Sequence, residues 1–212
     1  MIRPIVAHLC EELKRAHPAS AAALVLLAGL IFEQSNKLET LEELSRTNEL
    51  DSGSVHAASR ATEIRDEYIR YAEQGIFDWK YLGLRLTNDE RDSMTRTLLE
   101  LIDRDSPLAS DAASALSLSG RPFVVPHLAR TVYSKARDDE PTAATCIRAI
   151  AELLNSSSIR STPDLPMMKP LISAGIQALE FASREGMDGP LGAKEEGARQ
   201  LTRLRTIYPG LL

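Results

Sequence analysis

Three proline-led segments in the second half of the chain share one spacing, and this internal repeat limits the fold more than any other feature. Pro107 is followed by Ala112, Ala115 and Leu116 at offsets of five, eight and nine residues. Pro141 is followed by Cys146, Ala149 and Ile150 at the same offsets, and Pro170 by Gly175, Ala178 and Leu179. The shared pattern is Pro-x4-small-x2-Ala-[Leu/Ile], in copies that start 34 and then 29 residues apart. Proline is tolerated in a helix's first turn, where its missing N–H has no partner to lose. The three offsets fall on one helical face. Small residues there let a neighbouring helix approach closely, and the aliphatic residue fills the space beside it. Such a helix cannot bury its face alone and must stack on others.

The rest of the chain agrees with a helical reading. Its 212 residues suffice for one domain with a sizeable core, or a domain plus an appended element. Aromatics make up only 5% of the chain against 43% hydrophobic residues in all, so the core is built from small and aliphatic side chains. Such a core suits closely packed helices. Runs of β-branched residues with period-two alternation are scarce, which leaves few candidate strands.

Residues 2–16 carry Ile2, Ile5, Val6, Leu9 and Leu13 on one face of an amphipathic helix. The Ala16-His17-Pro18 junction allows a sharp turn into residues 19–34. A shorter helix is expected over 38–48, with Leu38, Leu41 and Leu44, before the Asp51-Ser52-Gly53 break. From Val55 to Gln74, Ala57, Ala61, Ile64, Tyr68 and Tyr71 form a seam of the coiled-coil kind. The aromatic segment 76–86 follows, as a short strand or an irregular packed loop. Thr87-Asn88-Asp89-Glu90 has the spacing of a capping box and opens a helix to about Asp103. A last helix runs from Gly189-Pro190 to Ile207, with Ala198, Leu201, Leu204 and Tyr208 as its apolar stripe.

The most apolar stretch, residues 19–32 (ASAAALVLLAGLIF), is 14 residues long. A membrane-spanning helix needs about 20, and Glu33 and Gln34 close the run on one side. It reads as a buried core helix opened by Pro18, in a cytoplasmic protein. The alternative is a short membrane anchor over residues 19–32. A secretory signal is not indicated, because Glu11 and Glu12 dilute Arg3, Lys14 and Arg15.

The stretch 106–132 (SPLASDAASALSLSGRPFVVPHLARTV) resembles a HEAT-type repeat unit. It has an Ala-rich first helix, a Ser119-Gly120 turn, and a second helix with Phe123, Val124, Val125, Leu128 and Val132. Residues 141–154 match a further first helix, and the resemblance covers roughly residues 106–183. It implies helical hairpins packed as a short α-solenoid in residues 106–212. Residues 1–105 show no copy of the repeat and read as an N-terminal helical bundle region, in one continuous domain with the rest. The resemblance also implies a ridged surface of the kind that serves adaptors. Some HEAT-like families are lyases or base-removing enzymes, but the residues that would carry those roles are not recognisable in this chain.

Motifs for chemistry are absent. His8, His17, His56 and His127 lie in no metal-binding spacing, and no Cys-x-x-Cys joins Cys10 and Cys146. Both cysteines read as small buried hydrophobes. The acidic pairs Asp66-Glu67 and Asp89-Glu90 and the run Asp138-Asp139-Glu140 stand beside basic neighbours or before helix starts, where capping and solvation account for them. No phosphate loop or nucleophile elbow is present. The net charge of −5 argues against general nucleic-acid binding, because phosphate contacts call for a basic face.

The expectation is therefore an all-α, non-enzymatic scaffold whose partner is a protein, with no cofactor, no metal and no catalytic residue assigned. Phe77, Trp79 and Tyr81 are the candidate contact residues, since large aromatics are favoured at interfaces. Two alternatives are a membrane-tethered helical module and a helical-repeat enzyme or small-ligand-binding domain.

Overall fold

The structure, a computed structural model, describes residues 3–15, 18–50, 86–104, 106–156, 166–188 and 192–208. Within them the chain forms α1 (Arg3–Arg15), α2 (Pro18–Leu50), α3 (Asn88–Asp103), α4 (Ala109–Ser117), α5 (Val125–Lys135), α6 (Glu140–Leu154), α7 (Met168–Glu185) and α8 (Ala193–Ile207). A 3-10 turn, Pro122–Val124, leads into α5. Among the described residues there is no strand. The expected helix over 55–74 and the segment 76–85 lie outside them.

Local signals fix several boundaries. At α3 the capping box is complete. Glu90 N–H donates to Thr87 Oγ1 at 3.2 Å, and Thr87 N–H donates back to the Glu90 carboxylate at 2.8 Å. Asp139 caps α6 by accepting from Thr142 N–H at 3.3 Å, with Pro141 in the first turn. Gly120 turns the chain between α4 and the 3-10 turn at φ +64°, a left-handed conformation that favours glycine.

The two short helices expected over 19–34 and 38–48 are one continuous helix, α2. Ser35 and Asn36 look like a break in sequence, since such side chains compete for backbone partners. Here they are occupied by tertiary contacts instead. Ser35 Oγ accepts from Leu86 N–H at 3.2 Å, and Asn36 Nδ2 donates to Leu118 C=O at 2.8 Å. The stripe of α8 also differs from expectation. Ala198 faces solvent, and Gly197 joins Leu201, Leu204 and Tyr208 on the inner side.

Packing runs between alternate helices as well as between neighbours. α2 packs on α4, α4 on α6, and α6 on α8; likewise α1 packs on α3, α3 on α5, and α5 on α7. The hairpin pairs α1–α2, α3–α4, α5–α6 and α7–α8 join the two files crosswise. One cluster of buried hydrophobic residues extends from Val6 to Tyr208.

All nine motif residues, from Ala112 to Leu179, are buried. In α4 and α6 they lie in the same file, and the two helices touch directly, with the Ser110 and Thr145 hydroxyls hydrogen-bonded at 3.0 Å. The third proline-led helix, α7, packs chiefly on α5 and α8, in the other file. Gly175 there is closely packed by side chains. A Cβ added to it would stand 2.9 Å from Leu154 Cδ1 and 3.0 Å from Ile150 Cγ2.

Candidate functional site

The apolar run of α2 divides lengthwise. Ala21, Val25, Ala28 and Phe32 recur at helical spacing on the buried face. Leu26, Leu27 and Leu30 stand on the opposite face, 65%, 42% and 52% exposed. With the exposed Ala23 they form a second apolar stripe at i, i+3, i+4 and i+7. Fully burying a leucine contributes about 1.5–3 kcal/mol, so each half-exposed leucine leaves on the order of 1 kcal/mol for a partner to gain. Scattered surface leucines need no explanation, whereas a grouped stripe marks a contact site.

The stripe borders a groove of about 350 Å³ between α2 and α4. Val25, Gly29, Ala115 and Leu118 line it, with Leu26 and Leu30 at one side and Glu33 and Asp111 among its polar residues. A second groove, of about 320 Å³, lies between α4 and α6. It is lined by Ser110, Ser117 and Thr145 and by the charged Arg148 and Glu152. Asp111 and Ser114 belong to both, so the two grooves adjoin across α4. Farther along the same file, Arg203 of α8 pairs with Glu152 of α6 at 2.9 Å. The file thus passes from leucines through hydroxyls to charged pairs.

What holds α2 in place is a buried arginine. Arg91 of α3 is 4% exposed, and its guanidinium donates to Asn36 Oδ1 at 2.7 Å, Ser119 C=O at 3.1 Å, Ser35 Oγ at 2.8 Å and Glu39 at 2.7 Å. The guanidinium carbon also lies 5.9 Å from the centre of the Phe32 ring. Burial lowers the Arg91 pKa, and the adjacent Glu39 carboxylate opposes that shift. Four partners from two segments satisfy the fork, which is what a buried charge requires.

Other ionisable groups serve packing. Cys10 and Cys146 are free and buried, and burial pushes the Cys146 thiol up to about 12, far from reactive thiolate. On α8, burial would raise the Glu196 pKa, but hydrogen bonds from Arg199 and Gln200 outweigh it and hold the carboxyl below its ordinary range. His127 Nδ1 stands 3.5 Å from Asp103 Oδ2, outside hydrogen-bond geometry, at the junction of α3 and α5. Among the described residues no group of three or more His, Cys, Asp or Glu side chains is placed to hold a metal ion. No described helix is long and apolar enough to cross a membrane, and the inner face of residues 19–32 is packed against the body.

Phe77, Trp79 and Tyr81, the contact residues expected from sequence, lie outside the described residues. Sequence reading missed Leu26, Leu27 and Leu30 as a surface, although a signal was present. A run that is apolar on all sides of a helix exceeds what one buried face uses. No family model, no curated protein and no solved structure matches the chain.

Proposed function

We propose that the chain is a non-enzymatic protein-interaction scaffold of HEAT-like, α-solenoid character that presents the α2–α4–α6 side of its stacked helices to a protein partner. The single observation that carries this reading is the pair of adjoining grooves on one file of helices, edged by the exposed leucines of α2. The alternate-helix contacts support the solenoid part, since each hairpin rests only on its neighbours in such a stack. The buried Arg91 and Glu196 are tied to packing partners, as structural ionisable groups are.

Affinity capture of the tagged full chain from its native cell tests the reading. Ser114 is exposed where the grooves adjoin, and Arg130 is exposed on α5 in the other file. A partner that is recovered with wild type and with Arg130→Glu, and lost with Ser114→Arg, is the expected result. Equal recovery with both variants, or no enriched protein at all, overturns it.

A further inference from the structure

The chemistry of the α2–α4 groove specifies its occupant further, on the premise that this side of the molecule is the interaction surface. The floor is apolar and shallow, because α2 and α4 come close at Gly29, where an added Cβ would meet Ala115 Cβ at 3.5 Å. Beside it stand two leucines, Leu26 and Leu30, each more than half exposed. Their spacing with Ala23 and Leu27 forms a ridge one helix wide, which another helix can meet by ridge-into-groove packing. Among the described residues no free strand edge is offered for an extended peptide.

The charge at the groove has one sign. Glu33 and Asp111 are its ionisable side chains, and no lysine or arginine lines it. Glu33 is answered within α2 by Lys37, at 2.9 Å. Asp111 is exposed and forms no ion pair among the described residues, although Arg148 lines the adjoining groove with it. Complementary charge is what selects partners at a rim. A second copy of this chain paired symmetrically through this groove would bring the same carboxylates together. An anionic membrane surface would be repelled by them.

We infer that the α2–α4 groove receives an amphipathic helix of a partner protein, apolar on its contact face and carrying lysine or arginine beside that face, where it meets Asp111.

Photo-crosslinking in the native cell tests this, with benzoylphenylalanine placed at position 30 or, separately, at position 148 of the full chain. Both positions are exposed, and the melting temperature of each variant confirms that it folds. Mapped by mass spectrometry, the product from position 30 is expected to join a positively charged segment with helical apolar periodicity in another protein. Asp111→Lys is expected to cut its yield by about fivefold, the scale of one rim charge pair. Products from position 30 to a second copy, to lipid, to residues 51–85 of this chain or to an acidic segment overturn the inference, as does a yield indifferent to Asp111→Lys. Crosslinks from position 148 with none from position 30 overturn the helix in this groove and leave the scaffold reading standing. Silence at both positions overturns the two together.

Discussion

Two helices of this protein, α7 and α2, place their apolar residues in opposite ways. α7 sits between α5, α6 and α8, where a methyl group at Gly175 would press on the side chains of Leu154, Ile150 and Val125. α2 holds the purest apolar run in the sequence, yet it turns three leucines outward and is fastened on its inner side by a polar clamp around Arg91. Apolar content alone therefore does not locate the core. What decides is whether neighbours fill both flanks of the helix, and at α7 they do.

The largest expected effect comes from opening the clamp. Arg91→Leu removes the hydrogen bonds to Ser119 C=O and Asn36 Oδ1, leaves Ser35 Oγ with Leu86 N–H as donor, and takes the cation from Glu39. Glu39 is 40% exposed and recovers part of its hydration. Loss of about 3 kcal/mol is expected, read as a fall of roughly 10 °C in melting temperature. An unchanged melt would show that α2 depends on its apolar face alone. Next is Gly197→Ala at the α7–α8 contact. The new Cβ would stand 2.9 Å from Ser183 N and 3.0 Å from Leu179 O, both backbone atoms that cannot rotate away. About 2 kcal/mol of destabilisation is expected by denaturant titration.

The same exchange at Gly29 should have the opposite sign. Its Cβ would find Ala115 at ordinary contact distance, so the gain in helix propensity, about 0.5–1 kcal/mol, is kept. Opposite signs at positions 29 and 197 would establish the contrast in packing between the two regions, and equal signs would break it. Leu30→Glu is expected to shift stability by no more than about 0.5 kcal/mol, since the side chain is half exposed. A larger loss in the same melts would mean that the stripe is covered within the molecule.

The smallest effect is a pH dependence on α8. The folded-state pKa of Glu196 lies below its ordinary value. The stabilisation it brings is full above the unfolded-state pKa and is lost as pH falls through the lowered folded-state value. Wild type should therefore lose stability relative to Glu196→Gln only below about pH 4.3, and parallel stability curves down to lower pH would contradict the shift.

Much of the architecture was legible residue by residue. The capping box at Thr87, the glycine turn at Gly120 and the nine buried motif positions all follow from local rules that need no knowledge of distant contacts. The continuity of α2 was not legible, because Ser35 and Asn36 weaken helix propensity and the side-chain contacts that offset this are distant. Their partners, Leu86, Arg91 and Leu118, lie from 51 to 82 residues away. The inner stripe of α8 failed for a related reason. Gly197 carries no hydrophobic signal, and its role is to be absent where α7 passes. As for the candidate surface, the run of α2 was visible, but which leucines face outward depends on where α1 and α4 lie.

The two cysteines have a practical consequence. Cys10 belongs to the first hairpin and Cys146 to the tightly filled body, and both are buried and unbridged. Alkylating reagents reach each only when its surroundings open. Pulsed labelling with mass readout at the two sites therefore turns the native chain into its own pair of clocks, one timing detachment of the N-terminal helices and the other timing opening of the packed helices around α6.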